Sequence, residues 1–412
     1  MQSSSPTETP PQLSPWLIAP VLGVLGALGP MSIDLYLPGM PQIVESLRID
    51  EGTGQLSLMT FLGGLMLGQL FYGPTSDRLG RKPMIFVGLV LFTIASLGCA
   101  FVQTGEQLLL LRFIQGLGGA IGRVVGMAVV RDLYRGKTAA MLVAMMMLVL
   151  GLAPIVAPLI GSAILLVAPW QWLFVFLTFF GLACIVMVAV ALPETRLEAQ
   201  RTSSHPLVAI RNYGGLLLSR QYMPYVAALS LAQAGFYAYL TGSSFIFINL
   251  YGLSPTMYSV LFATNAVGLL IGAQIAPRLI GRFQAENIVR SGLVAYTMAA
   301  MLLVTLQLTG ALNVVLLSVL LFMIIVSLAF VMPIAAVLAL ESQGKIAGTA
   351  AAMLGACQFG FGTVAALVIG LTANGTAMPM VMVIGLSSLA AISIAFLTFP
   401  GTEETCLQEE AA

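Results

Sequence analysis

Gly73-Pro74-Thr75-Ser76-Asp77-Arg78-Leu79-Gly80-Arg81-Lys82-Pro83 separates two apolar runs, residues 56–72 and 84–102, each long enough to cross a bilayer. A Gly/Pro-bounded stretch carrying one acid and three bases cannot rest in hydrocarbon, so it is expected as a tight loop at a membrane surface. Three positive charges between closely spaced spans put that surface inside the cell.

Composition agrees with a membrane location. The 412 residues are 59% hydrophobic and only 8% charged, where a soluble domain carries roughly 25% charge. Seventeen basic against sixteen acidic residues leave a net charge of +1, too little for a nucleic-acid surface. The 22 Met and 42 Gly suit adaptable packing and close helix contacts. Cys99, Cys184, Cys357 and Cys406 have neither disulfide nor metal-ligand spacing. The opening MQSSSPTETPPQLSP lacks a basic n-region, so residues 1–15 read as a short polar tail and the apolar run after them as a retained span. No nucleotide-binding loop, metal cluster, haem motif or nucleophile constellation is present, and His205 reads as a solvated residue of a polar connection. The chain is therefore expected to be no enzyme and to need no cofactor. Any uphill transport would draw on an ion gradient.

Apolar runs of about 20 residues are expected at 16–42, 55–74, 83–102, 107–130, 138–167, 170–192, 223–249, 256–276, 289–308, 312–340, 347–372 and 377–399. No charge occurs from Thr138 to Pro193, Gln221 to Pro277, Ser291 to Leu340 or Ile346 to Thr402. Each block holds two spans around an uncharged turn, at Pro169-Trp170, Gly252, Gly310 and Asn374-Gly375. The other face collects the bases: Arg78, Arg81 and Lys82; Arg131, Arg135 and Lys137; Arg196, Arg201, Arg211 and Arg220; Arg278, Arg282 and Arg290; and Lys345. That is fourteen of the seventeen, against Arg48 alone opposite, so both termini are expected in the cytoplasm.

The polar segment 193–222 divides the spans into an N-terminal bundle, 16–192, and a C-terminal bundle, 223–399, with an acidic cytoplasmic tail at 400–412. Asp77-Arg-Leu-Gly80-Arg81 recurs, degraded, as Arg278-Leu-Ile-Gly281-Arg282, in each case after the second span of its half. The expected fold is all-α, with twelve transmembrane helices in two six-helix bundles, a recognised transporter plan.

Charges inside a membrane are costly and mark function. Asp34 lies in Gly29-Pro30-Met31-Ser32-Ile33-Asp34-Leu35-Tyr36-Leu37-Pro38, about 27 Å along the first span from Trp16. It is either a proton-exchanging carboxylate or an outer-interface cap paired with Arg48. The fourth span holds Arg112 and Arg123, about three turns apart on one face with Gln115 and Gly119 between. Arg112 has a depth comparable with that of Asp34. It can pair with Asp34 or snorkel outward beside Glu106. Arg123 is too deep to snorkel easily and marks a water-filled cavity or a buried partner. In the fifth span Gly151, Pro154, Pro158 and Gly161 form a kink, used for packing and for rocking of the two halves. The second half offers Gln233, Phe236, Tyr237, Tyr239, Asn265, Gln358 and Phe361 as cavity candidates beside Tyr36 and Gln115, a set suited to a moderately polar organic molecule. Each could equally be helix glue.

At these residues the chain resembles the major facilitator superfamily, specifically the twelve-span drug:proton antiporters of the bicyclomycin/chloramphenicol-resistance (Bcr/CflA-like) type. Gly73-Pro-x-x-Asp77-Arg78-x-Gly80-Arg81-Lys82-Pro83 is similar to the family's loop signature, and Leu111-Arg112-Phe-x-Gln115-Gly116 to that of span four. Gly151 through Pro158 to Gly161 approximates the antiporter signature, with Ala157 replacing one expected glycine, and Ser32-Ile-Asp34-Leu-Tyr36-Leu-Pro38 resembles that of span one. The resemblance implies export of small amphipathic molecules in exchange for protons across a bacterial inner membrane, with the lipid bilayer as surroundings and a monomer as working unit. It implies Asp34 as proton-responsive carboxylate and Arg112 as its coupling base. Asp77 would latch the inner side against Arg131 and the start of span eleven, within a gate of Gly73, Asp77, Arg78, Gly80, Arg81 and Arg131. Arg123 lies outside the signature and would tune substrate charge. A nutrient or metabolite importer or uniporter on the same scaffold would use Asp34 as a substrate ligand instead.

Overall fold

In the computed structural model, which describes residues 14–196 and 206–399, the regular elements are helices. They are α1 (Pro15–Gly26), α2 (Leu28–Asp34), α3 (Met40–Leu47), α4 (Glu51–Leu79), α5 (Arg81–Cys99), α6 (Gly105–Leu133), α7 (Gly136–Val167) and α8 (Gln171–Ala191). After these come α9 (Pro206–Leu217), α10 (Met223–Ser244), α11 (Pro255–Leu279), α12 (Ala285–Leu308), α13 (Val314–Glu341), α14 (Ala347–Leu371) and α15 (Met378–Thr398). Ten of them are long and apolar enough to cross a membrane, and α1 joined to α2–α3 across a 40° bend makes eleven. The 22-residue α10 is not among these. Its Ser, Gln, Tyr and Thr side chains dilute its apolar character, and it ends in a π-helical turn, Phe245–Leu250. Arg201, His205, Cys406, the C-terminal tail and most of the N-terminal tail lie outside the described residues.

Prolines explain the broken first span. Pro30 has no N–H for the carbonyl of Gly26, where α1 ends, and Pro38 none for the carbonyl of Asp34, where α2 ends. Two glycines let other helices close on the breaks. A Cβ on Gly122 of α6 would run into the carbonyl of Leu25, and one on Gly161 of α7 into that of Leu35. Gly161 thus anchors α7 to the first span, while Gly151 lies against Leu270 of α11; α7 stays helical through Pro154 and Pro158.

The stretch 73–83 corrects an expectation. It is no loop: α4 remains helical through Pro74 to Leu79, and Gly80 alone separates it from α5. Gly80 has φ 104°, a conformation that side chains resist. Pro74 deprives the carbonyl of Leu70 of its helical donor, and the Tyr213 hydroxyl of α9 donates to it at 3.1 Å. Burial, with a contribution from the Asp77 charge, pushes that hydroxyl up to about 12, so it keeps its proton at neutral pH. α9 itself lies in the segment read from sequence as a plain polar connection.

α1–α8 contact chiefly one another, as do α10–α15; α4 against α14 and α7 against α11 join the two sets. The outer face of α8 shows what surrounds the molecule. Phe179, Leu182, Val186 and Val190 form one stripe, each 45% or more exposed. Such a surface is a liability in water and ordinary in lipid. At the end away from the basic residues Gly252, Gly310 and Gly375, with φ near +70°, close the uncharged turns.

Gly80→Ala is expected to cost about 1–3 kcal/mol through backbone strain. Gly281→Ala, at the corresponding place in the second set, has negative φ and open space around it and should be neutral. Thermal unfolding of the purified variants checks the pair; equal midpoints would refute the strain at Gly80.

Candidate functional site

Arg112 is fully buried in α6 and holds four elements together. One terminal guanidinium nitrogen donates to the Ser32 carbonyl of α2 at 3.1 Å and to Gln115 Oε1 at 2.7 Å. The Gln115 amide then donates to Ser96 Oγ of α5 at 2.7 Å. The guanidinium carbon sits 4.6 Å from the centroid of the Tyr36 ring and 4.2 Å from that of Phe61 in α4. Tyr36 is fixed in turn by a 2.7 Å hydrogen bond to Ser57. Desolvating a cation costs several kcal/mol. Two desolvated cation–π contacts of about 2 kcal/mol each and two charge-assisted hydrogen bonds of about 1.5–3 kcal/mol offset part of that, while Nε and the other terminal nitrogen have no hydrogen-bond acceptor among the described residues. Arg112 therefore neither snorkels beside Glu106 nor makes an ion pair with Asp34.

Helix geometry explains the missing pair. Ser32 and Tyr36, four residues apart, face Arg112, whereas Asp34 is displaced by two residues, about 200° around the span. Asp34 is 4% exposed and has no ion pair among the described residues. Its charge reaches Tyr237, Tyr239 and Tyr258 of the second set. Those tyrosines belong to a run of rings, Phe359–Tyr237–Phe236–Tyr239–Phe262–Tyr258, with successive centroids 5.6–6.4 Å apart. Asn265 donates to the Tyr239 hydroxyl at 3.0 Å, and Ser243 shares a 2.9 Å hydrogen bond with Tyr258. Gln233 and Gln358 are buried in the same set, each with an Oε1 that accepts no hydrogen bond among the described residues.

Three expected cavity residues lie elsewhere. Tyr36 and Gln115 are fully buried and committed to Arg112. Phe361 falls on the face of α14 shared by exposed Val364, Val368 and Leu371, and Phe359, two residues earlier, takes the inward position. Phe262 and Tyr258 were not among the expected residues. Their spacing of four on α11 was the available sign of a common face.

Arg123 differs from Arg112. More than a third of it is exposed although protein surrounds it, as for a side chain in an interior aqueous cleft. Its guanidinium carbon lies 5.9 Å from the Phe359 ring centroid, and Tyr237 is its charged-state neighbour. Leu22, Met127, Met146, Met147 and Leu150 line the hollow beside it. At the far end of the cleft the two helix sets touch. Ser244 Oγ lies 3.7 Å from Met40 Sδ, and a Cβ on Gly54 would meet Val44 and Phe245.

At the basic end Arg81 is 1% exposed and centres a network. It contacts Asp77 at 2.6 Å, Asp132 at 2.8 Å and Ser76 Oγ at 2.7 Å. Asp132 also meets Arg196 at 3.6 Å. Gly80 has no side chain with which to cap α5, and Glu194 accepts from the backbone N–H groups of Arg81 at 2.9 Å and Lys82 at 3.2 Å instead. Asp77 thus pairs with Arg81, not with Arg131, whose guanidinium lies against Gly348 at the start of α14. Gly73 has open space around it and Arg78 is exposed. Asp132 and Glu194 were missed in the sequence; as acids on a face dominated by bases they were the visible hint.

Comparison with known proteins places the fold. Residues 22–367 match the family described as Major Facilitator Superfamily. The chain is 33% identical over 366 residues to the uncharacterized MFS-type transporter YdgK of Bacillus subtilis, covering 88% of this chain and 90% of the relative. It is 28% identical over 381 residues to the bicyclomycin resistance protein homolog of Haemophilus influenzae, covering 91% and 94%. Among solved structures a D-xylose-proton symporter superposes with a TM-score of 0.72 at 16% identity, covering 93% of this chain and 98% of that one.

The geometry gives Asp34 and Arg112 no direct charge pair and leaves only indirect coupling through the first span. Stability changes in Asp34→Asn and Arg112→Gln should therefore couple by less than about 1.5 kcal/mol in the double variant. Reversible unfolding in mixed micelles checks this. A coupling of about 1.5 kcal/mol or more, the size of a direct charge pair, would refute it.

Proposed function

Because this chain belongs to the major facilitator superfamily, we propose that it is a proton-coupled antiporter of the bicyclomycin/chloramphenicol-resistance type. It exports small amphipathic molecules across a bacterial inner membrane. The family is one of transporters, so the reading contains no catalytic step. α10 is the polar twelfth span, the two contact sets are six-helix bundles at 16–192 and 223–399, and both termini are cytoplasmic. With the basic end inside, the contacts at Met40–Ser244 and Gly54–Phe245 close the outer side, and the cleft at Arg123 opens inward.

The observation that carries this reading is Asp34: a buried carboxyl without a counter-ion among the described residues, turned toward the other bundle. Such a group exchanges a proton when water reaches it and crosses the closed state most cheaply when neutral. Arg112 holds the broken helix that carries Asp34, so it acts as a positioning residue. Substrate and proton then use one cleft in turn, while the bundles rock on α4–α14 and α7–α11.

Asp34→Asn should abolish pH-driven drug export from everted vesicles and leave counterflow exchange of the same drug within about twofold of wild type. Full pH-driven transport by the variant would sink the role.

The inner latch is proposed on Asp77. In the outward-facing state it adds the N-terminal amides of α14 and Arg131 to its present contact with Arg81. Asp77→Asn should shift the population inward and widen the distance between spin labels at positions 79 and 281. An unchanged distance distribution would make Asp77 a local anchor only.

A further inference from the structure

Between their ends the membrane helices carry three charged side chains, Asp34, Arg112 and Arg123. Arg112 is shut off from the cleft by full burial against Ser32, Gln115 and two rings. Asp34 is buried, with its charge acting on tyrosines of the second set. That leaves Arg123 as the one charge open to the cleft, and among the described residues no carboxylate lies within ion-pairing distance of it. Its nearest companions are a ring, Phe359, and a phenol, Tyr237. The adjoining hollow, lined by Met127, Met146 and Met147 with Leu22 and Leu150, has a volume of only about 20 Å³, so an apolar body enters it as these soft side chains move aside.

A fixed cation without a counter-ion, beside a plastic apolar wall, is complementary to a molecule carrying an anionic group on a hydrophobic body. We propose that Arg123 is a substrate-binding residue and that it selects amphipathic organic anions, such as aryl carboxylates or sulfonates, over neutral or cationic analogues. The proposal rests on the antiporter reading above and narrows its substrate class. The anionic group takes the guanidinium in a bidentate contact, and the aromatic body packs on the Phe359 ring and displaces the methionine side chains. An organic cation would meet an uncompensated like charge in the same place, a repulsion that excludes it. Asp34 and Arg123 both act on Tyr237, Asp34 from the first span and Arg123 from α6, so proton and anion load on either side of one phenol.

The test uses the purified full chain and a matched probe pair, 1-naphthaleneacetate and its neutral isostere 1-naphthaleneacetamide, with binding read by scintillation proximity at pH 7.5 without a gradient. Wild type should bind the carboxylate at least tenfold more tightly than the amide. Arg123→Gln should bring that ratio to about one by weakening the carboxylate alone, and Arg123→Lys should restore part of it. Equal binding of the two probes by wild type, or no binding of the carboxylate, overturns the proposal even if Arg123→Gln fails to fold. So does a variant that loses both probes in parallel while unfolding at the wild-type temperature. pH-driven flux of the same probes in proteoliposomes separates this proposal from the antiporter reading. A retained carboxylate preference without pH-driven flux refutes antiport and leaves the anion site standing. pH-driven flux with no carboxylate preference does the reverse.

Discussion

A guanidinium kept from both water and lipid, between the rings of Tyr36 and Phe61, sets the geometry of everything around it. Arg112 reaches Ser32 in the stretch where prolines have already broken the first span, and it draws α5 in through Gln115 and Ser96. Its net worth is small, because desolvation nearly cancels the contacts. Its value lies in specification: a buried cation accepts few arrangements of neighbours, and this one fixes which face of the first span turns toward the second set. Asp34 is on that face as a consequence.

The basic end follows the same logic with opposite exposure. Arg81 is buried by Asp77, Asp132 and Ser76, and the helix it begins is capped by Glu194, more than a hundred residues away in the chain. The counterpart in the second set keeps the position and loses the chemistry. Arg278 and Arg282 are exposed and form no ion pair among the described residues. The first half is braced at this end by the charge network around Arg81.

Much of this was legible in the chain. Hydropathy and charge-free blocks located the membrane helices to within a few residues, because the bilayer sets both their length and their tolerance of charge. That Asp34 and Arg112 lie at one level was readable as well, since Arg112 reaches the Ser32 carbonyl. Angular position was used less well. Asp34 and Arg112 share a depth and differ by half a turn, which the offset from Ser32 and Tyr36 already contained. Phe361, read as a cavity residue, lies on the outer face of α14 for the same reason. Other features had no local signal. Gly-Pro-rich sequence normally reads as a turn, yet α4 survives Pro74 because Tyr213, distant in sequence, accommodates the orphaned carbonyl. Glu194 as a cap is likewise a tertiary fact.

The single-residue join at Gly80 bears on how the protein is made. Two long helices joined by one residue cannot enter the bilayer one after the other with a relaxed pause between them. Asp77, Arg78, Arg81 and Lys82 crowd the tip, and moving them through hydrocarbon would be prohibitive. α4 and α5 therefore cross most cheaply as a pair, with the charged tip left on the side where it starts. The side that keeps the tip then sets the direction in which both helices run.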